Sequence, residues 1–399
     1  MMADVIDLKA WKAKIQGGRN GPKKNVTNLV LHLQNIKDLG NTIKWNELAQ
    51  RAEWNGHPIE DSHLIDIRLL LENEGFDPPL EALLPTIIRH AKDNGFHPVR
   101  DYLRSLKWDG TRRLDFWLEQ CLGAPKSKFN RLVGRKTLIA AVARAFRPGC
   151  KVDTVLVLEG PQGIRKSSAI ATLFGEEWTA ESVNLFDQHN KMVMSMMGAW
   201  VVELAEFIAI AKRDQNQVKG LLSMKSDRVV LPYAKMASDH PRQCVFFGTI
   251  NPGETGYLTD TTGNRRYWPV EVVKADLDRI IARRDQLWAE AYHAFCQDER
   301  WWLEEDEQEL AAVEVSAREE YDVWDEILGR KLVDECVKSV TAAAALQAIG
   351  VPNERMGKRE LNRVGACLRR LGYEPKPAKE TVDGQRKSIK VFVKKDDHQ

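Results

Sequence analysis

Lys166 and Ser167 follow a loop, Gly160-Pro161-Gln162-Gly163-Ile164-Arg165, whose two glycines allow a ligand close to the backbone. A lysine and a hydroxyl at the end of such a loop suit phosphate chemistry. Backbone N–H groups cradle the anion, and a helix opening at the lysine adds its dipole. Lys166 would neutralise β/γ-phosphate charge and Ser167 would ligate Mg²⁺, with Ser168 next to it on the opening helix. The full pattern G-x-x-x-x-G-K-[ST] has glycine where this chain has Arg165. Arginine fits there if its backbone dihedrals are ordinary, and its charge favours phosphate.

Three further groups of residues suit the same chemistry. Ala199-Trp200-Val201-Val202 is an apolar run ending in Glu203, and Glu206 follows. Triphosphate hydrolysis needs one carboxylate near Mg²⁺ and one that polarises the attacking water, and these two can divide the roles. Asn251 ends a second apolar run, Val245 to Ile250, where an amide can sense the γ-phosphate or position water. Arg265 and Arg266 lie on a turn before a third run. An arginine supplied to a neighbouring subunit can stabilise transition-state charge.

Strands and helices must position these residues. Thr154 to Leu158 is β-branched and apolar, short enough for a buried strand. Strand, glycine-rich loop, Lys-Ser and helix is the order of a P-loop. The runs before Glu203 and Asn251 are also of buried-strand type, so an α/β fold is expected.

Four segments in order, EGPQGIRKSS, WVVELAEF, FFGTINP and TGNRRYWPVEV, resemble the virulence-associated protein E family, as does HPVRDYLRSLKWDGTRRL at 97–114. The ordered set carries the resemblance, over about residues 100–275; no single motif does. Members of that family are ATPases of prophages and mobile islands, related to superfamily 3 helicases of the AAA+ class. The resemblance implies a P-loop AAA+-type core with ATP and Mg²⁺ as cofactors. It places Lys166 and Ser167 at Walker A, Glu203 and Glu206 at Walker B, Asn251 at sensor 1, and Arg265 and Arg266 in the finger region. It implies a homo-oligomer, expected to be a hexameric ring, acting on DNA in phage or mobile-element replication. A separate primase or other replication protein is a further partner it suggests. Superfamily 3 helicases carry a basic residue into the pore on a hairpin between Walker B and sensor 1. Here residues 223–243 contain Val229-Val230-Leu231 flanked by Lys225, Arg228 and Lys235, with Lys235 the first candidate and Lys225 the second. Lys219, on the preceding helix, could instead reach DNA or nucleotide. A nucleotide-gated DNA-binding initiator that does not unwind, and a prophage defence ATPase, are the alternatives.

Composition bounds the rest. The 399 residues are 43% hydrophobic and 29% charged with a net charge of +2, a globular balance that says nothing for or against nucleic acid. No apolar run reaches the roughly 18 residues of a membrane span, and the first residues lack a signal-peptide core, so a cytoplasmic protein is expected. Six scattered cysteines without C-x-x-C, and nine histidines without H-x-x-x-H, argue against zinc.

Residues 1–25 read as a flexible basic arm. Residues 26–105 read as an N-terminal helical domain, on the spacing of Leu64, Ile67, Leu70 and Leu71 and of Leu80, Leu83, Leu84, Ile87 and Ile88. The ATPase domain is expected over 106–295, with a helix over Phe129 to Phe146 in its leading collar. Residues 296–330 form an acidic helical connector: between 298 and 326, thirteen Asp or Glu stand against two Arg. Residues 331–395 change sign, with thirteen Lys or Arg against four Asp or Glu from Arg355 to Lys395. A helix over Lys358 to Leu371 and a hairpin turning at Val382-Asp383-Gly384 resemble a winged helix. That would bring Arg363 on the helix and Lys387 on the wing to DNA.

Overall fold

Buried apolar residues of the chain gather into separate cores at the two ends and into two layers around a central sheet. The computed structural model describes residues 10–19, 21–181, 183–205, 215–251, 264–318, 322–333, 336–382 and 385–394.

The first stretch contains β1 (Gly17–Gly18), β2 (Gly21–Pro22), α1 (Val26–Asn35), α2 (Lys37–Gly40), β3 (Ile43–Asn46), β4 (Arg51–Trp54) and β5 (His57–Pro58). Then come α3 (Asp61–Asn73), α4 (Leu80–Asp93), β6 (Gly95–Phe96) and α5 (Pro98–Ser105). Leu29 and Leu33 of α1, Ile67 and Leu71 of α3, and Leu83 and Ile87 of α4 close one core. Two expectations need correcting. Within the first 25 residues, Trp11, Lys12 and Lys24 are tied to the helices rather than free in an arm. Trp11 is buried edge-on against His32, and Lys12 and Lys24 pair with Glu74 and Asp77. The helical reading of 26–105 also missed a four-stranded sheet ordered β5-β4-β3-β6. Strands this short leave too little alternation to show against helical periodicity.

The central stretch contains α6 (Trp117–Leu122), α7 (Lys128–Phe146), β7 (Val155–Glu159), α8 (Lys166–Phe174), β8 (Thr179–Ala180), α9 (His189–Met196) and β9 (Val201–Leu204). It continues with α10 (Gln215–Ser223), β10 (Ser226–Val229), β11 (Ser238–Pro241), β12 (Val245–Ile250), β13 (Tyr267–Glu271), α11 (Leu277–Cys296) and α12 (Glu305–Ser316). Five strands make a wholly parallel sheet ordered β13-β7-β12-β9-β8, so the protein is a mixed α/β fold. Every residue of β7 is buried, as a strand covered on both faces requires. Leu156, Leu158 and Phe247 pack toward α7, α8 and α11. Val155, Val157 and Ile250 pack the other way, toward α9, α10 and Val315 of α12. Ser127 caps α7 by accepting the Asn130 backbone N–H, which sets the helix start one residue before Phe129. β10 and β11 pair only with each other, as a ribbon outside the main sheet.

The last stretch contains α13 (Val323–Leu328), β14 (Ser339–Thr341), α14 (Ala342–Ala348), α15 (Lys358–Arg370), β15 (Tyr373–Val382) and β16 (Gln385–Lys394). Its strands form an antiparallel sheet ordered β14-β16-β15, packed through Phe392 onto Val364 and Leu368 of α15. Gly372, at φ 84°, turns the chain from α15 into β15. Among the described residues no helix is long and apolar enough to cross a membrane.

Candidate nucleotide site

β7 delivers the chain into the glycine-rich loop at the carboxyl end of the parallel sheet, between its neighbours β12 and β13. Crevices outside strand carboxyl ends are where open α/β sheets bind ligands. A cavity of about 620 Å³ opens there. Gln162, Gly163, Arg165 and Lys166 line one side of it, and Thr249 and Asn251 line another. Gly160 is required by packing, since a Cβ there would lie 2.4 Å from the Val272 carbonyl oxygen. Gly163 has φ 86°. Arg165 has φ 66° and ψ 38°, a left-handed conformation. The condition of ordinary dihedrals at 165 is therefore not met: the arginine adopts the backbone that glycine would take more cheaply.

Lys166 begins α8 and is 9% exposed. Its Nζ donates to the carbonyl oxygens of Gly160 (2.6 Å) and Pro161 (2.9 Å) and to Asn251 Oδ1 (3.0 Å). Burial pushes its pKa down, and the Glu203 charge works against that shift. Ser167 Oγ donates to Glu203 Oε1 at 2.7 Å, and Thr249 Oγ1 donates to the same oxygen at 2.7 Å. Glu203 is 2% exposed. Ser168 is exposed on the first turn of α8. The Lys166-Ser167 pair thus meets Asn251 and Glu203, far away in sequence, within hydrogen-bonding distance. Glu206 lies outside the described residues. Thr249 was not singled out from the sequence, although a hydroxyl inside the apolar run of β12 is a legible signal.

Arg265 and Arg266 do not join this group. They sit in the 3₁₀ turn Asn264–Arg266 that feeds the amino end of β13. The register pairs Tyr267 with Val155 and Glu271 with Glu159, so the turn lies at the amino edge of the sheet. That edge is roughly 15 Å from the glycine-rich loop at the rise of a parallel strand. Arg265 is exposed. Arg266 is half-buried, with Nη2 donating to Ser223 Oγ at 3.3 Å and Nε 3.7 Å from Asp153. Lys219, one helical turn before Ser223 on α10, has its pKa lowered by burial and by the Arg266 charge.

The β10–β11 ribbon stands at the same amino edge. Arg242 anchors its base, donating to both oxygens of buried Asp227 at 2.6 and 2.8 Å. Lys225, Arg228 and Lys235 are all exposed on it. Tyr233, near its turn, packs edge-on against Trp45 at 5.9 Å and donates to the Gln50 carbonyl oxygen. The ribbon is therefore held by the N-terminal stretch as well as by its own base.

In the last stretch, Arg363 forks onto Asp322, both bonds at 2.8 Å, with its guanidinium 3.9 Å from the Trp324 ring centroid. Arg370 does the same with Asp325 at 2.7 and 3.0 Å. Arg363, expected at DNA, is thus paired with residues from the end of the acidic stretch. Lys387 falls on β16 opposite Glu380, and its side chain lies outside the described residues.

A family model for the virulence-associated protein E-like domain matches residues 103–321. The chain belongs to that family. The virulence-associated protein E-like domain so defined takes in the parallel sheet, the glycine-rich loop, the ribbon and α12. No curated protein matches the chain. Among solved structures, the apo NrS-1 C-terminal region is similar at 12% identity, covering 88% of this chain and 96% of that chain, with a TM-score of 0.46. The A form of that region is similar at 11% identity over the same shares, with a TM-score of 0.43.

Proposed function

We propose that the protein is a Mg²⁺-dependent ATPase working as a homo-oligomeric, helicase-like motor on DNA in phage or mobile-element replication. The observation that carries this reading is the meeting of Lys166, Ser167, Glu203, Thr249 and Asn251 at the carboxyl end of one parallel sheet. Gly160, Gly163, Arg165 and Ser168 would complete the phosphate cradle. Ser167 and Glu203 offer Mg²⁺ hard oxygen ligands, and a site of one carboxylate plus phosphate oxygens and waters suits that ion. When bound, the metal would supply positive charge against the phosphate oxygens. Lys166 then neutralises phosphate charge, Asn251 orients the γ-phosphate or the water, and Glu206 polarises that water.

Arg265 and Arg266 would act on the site of the next subunit, because their own is out of reach across the sheet. The exposed cations of the ribbon, Lys235 first, would meet DNA in a hexameric ring. The last stretch reads as a winged helix, with α15 and the β15–β16 hairpin as its DNA-contacting parts. A separate primase or other replication protein would complete the machinery. Lys166→Ala should abolish ATP hydrolysis, and DNA should stimulate the wild type. Hydrolysis equal in both would remove the reading. The left-handed Arg165 favours one second reading, a nucleotide-gated DNA-binding initiator that does not unwind. A strand-separation assay divides the two.

A further inference from the structure

Glu159 ends β7 and adjoins Gly160, whose carbonyl oxygen accepts from Lys166 Nζ at 2.6 Å. It is 7% exposed. A carboxylate in that position repels a polyanion on the adjoining loop, and burial strengthens the repulsion. Arg318 is set against it. Its Nε donates to Oε2 and Oε1 of Glu159 at 2.7 and 2.8 Å. Its Nη1 donates to the Glu314 carbonyl oxygen at 2.9 Å and to the Glu314 carboxylate at 2.7 Å, which fixes the guanidinium from the α12 side. Val315 seats α12 on the sheet face opposite α8, so Arg318 approaches Glu159 from behind the loop. It belongs to none of the nucleotide motifs.

We propose that Arg318 is a positioning residue of the nucleotide site: by neutralising Glu159 from behind the sheet, it sets how tightly the loop holds a nucleoside triphosphate. Arg318 touches Glu159 and not the ligand. The inference rests on the reading that this loop binds a triphosphate. It adds a residue whose removal weakens binding without removing any group that contacts the phosphates.

The test titrates the full chain with a fluorescent non-hydrolysable ATP analogue and Mg²⁺. Arg318→Gln should weaken binding by roughly tenfold, the effect of one uncompensated charge at a partly buried site, and more so at low salt. Arg318→Lys should recover most of the loss. Combining Glu159→Gln with Arg318→Gln should return affinity to near wild type, because the charge needing an answer is gone. A merely structural role for Arg318 predicts the opposite, a double variant at least as weak as the single one. That result, or unchanged binding in Arg318→Gln, overturns the proposal. Should Arg318→Gln fail to fold, Glu159→Gln alone decides: binding equal to or tighter than wild type supports the proposal, and weaker binding overturns it. If wild type and Lys166→Ala both ignore the analogue, the triphosphate reading itself falls and takes this proposal with it.

Discussion

Arg266 lies 3.7 Å from Asp153 at the amino end of the strand whose carboxyl end leads to Lys166. The parallel register of β13 and β7 imposes this separation. On the shared-site reading, an arginine beside Asp153 serves the site of a neighbouring copy.

The two arginines should separate by experiment. Arg265 is exposed, whereas Arg266 is half-buried against Ser223 and Asp153. Arg265→Ala should lose hydrolysis on the order of 10³-fold with an unchanged melting temperature. Arg266→Ala should lower the melting temperature as well. Mixing Arg265→Ala with Lys166→Ala should restore some activity at mixed interfaces. Verified mixed oligomers without any recovery would count against shared sites.

Thr249 makes a second prediction. It supplies one of two hydroxyls donating to Glu203 Oε1, and Glu203 is almost fully buried. Thr249→Val keeps the shape and removes the donor. Stability should fall by about 1–3 kcal/mol, read by urea unfolding. Hydrolysis should also demand more Mg²⁺, because the carboxylate loses its fixed orientation. An unchanged Mg²⁺ dependence would show that Thr249 only supports the fold.

His97 predicts a pH dependence. It is buried, its Nε2 lies 2.7 Å from Gln243 Oε1, and burial lowers its pKa below the ordinary histidine range. In the window between the lowered folded value and the ordinary unfolded one, the unfolded chain binds more protons. Stability therefore rises with pH through that window. The contribution is full above the usual histidine pKa of about 6.5 and is lost as pH falls below it. Melting curves at pH 7.5 and 5.5 should show a drop that is smaller in His97→Gln. An equal drop in both would assign the acid sensitivity to another group.

The last stretch predicts a contrast between two DNA-binding changes. Removing residues 331–399 should weaken duplex binding and flatten its salt dependence. Arg363→Ala should leave the salt slope close to wild type, because Asp322 already matches its charge. A slope reduced by about one in Arg363→Ala would mean that this arginine leaves Asp322 for a phosphate.

The residues that sequence alone brought forward were those at the ends of apolar runs. Glu203 and Asn251 could be read because buried parallel strands leave continuous apolar stretches, and a polar residue ending one stands out. Gly160 was legible from the glycine-rich loop that follows the first run. Contacts made across long separations were not. Nothing in the acidic stretch marks Arg318 as the partner of Glu159, and Asp322 looks like one more solvated acid until α13 folds beside α15. The backbone of Arg165 was not legible because residue type reports a preference, while the turn imposes φ 66°. The strands β3 and β4, four residues each, were hidden among stronger helical periodicities.

The placement of Lys166 and Arg265 at opposite edges of one sheet bears on gene dosage. On the shared-site reading each copy contributes to two sites and completes neither. Such a contact would be head-to-tail, so it would close into a ring or grow without limit. In a closed ring, one copy defective at both edges silences two sites. A cell carrying both normal and doubly defective copies would then lose more activity than the defective fraction, and the defect would behave as dominant.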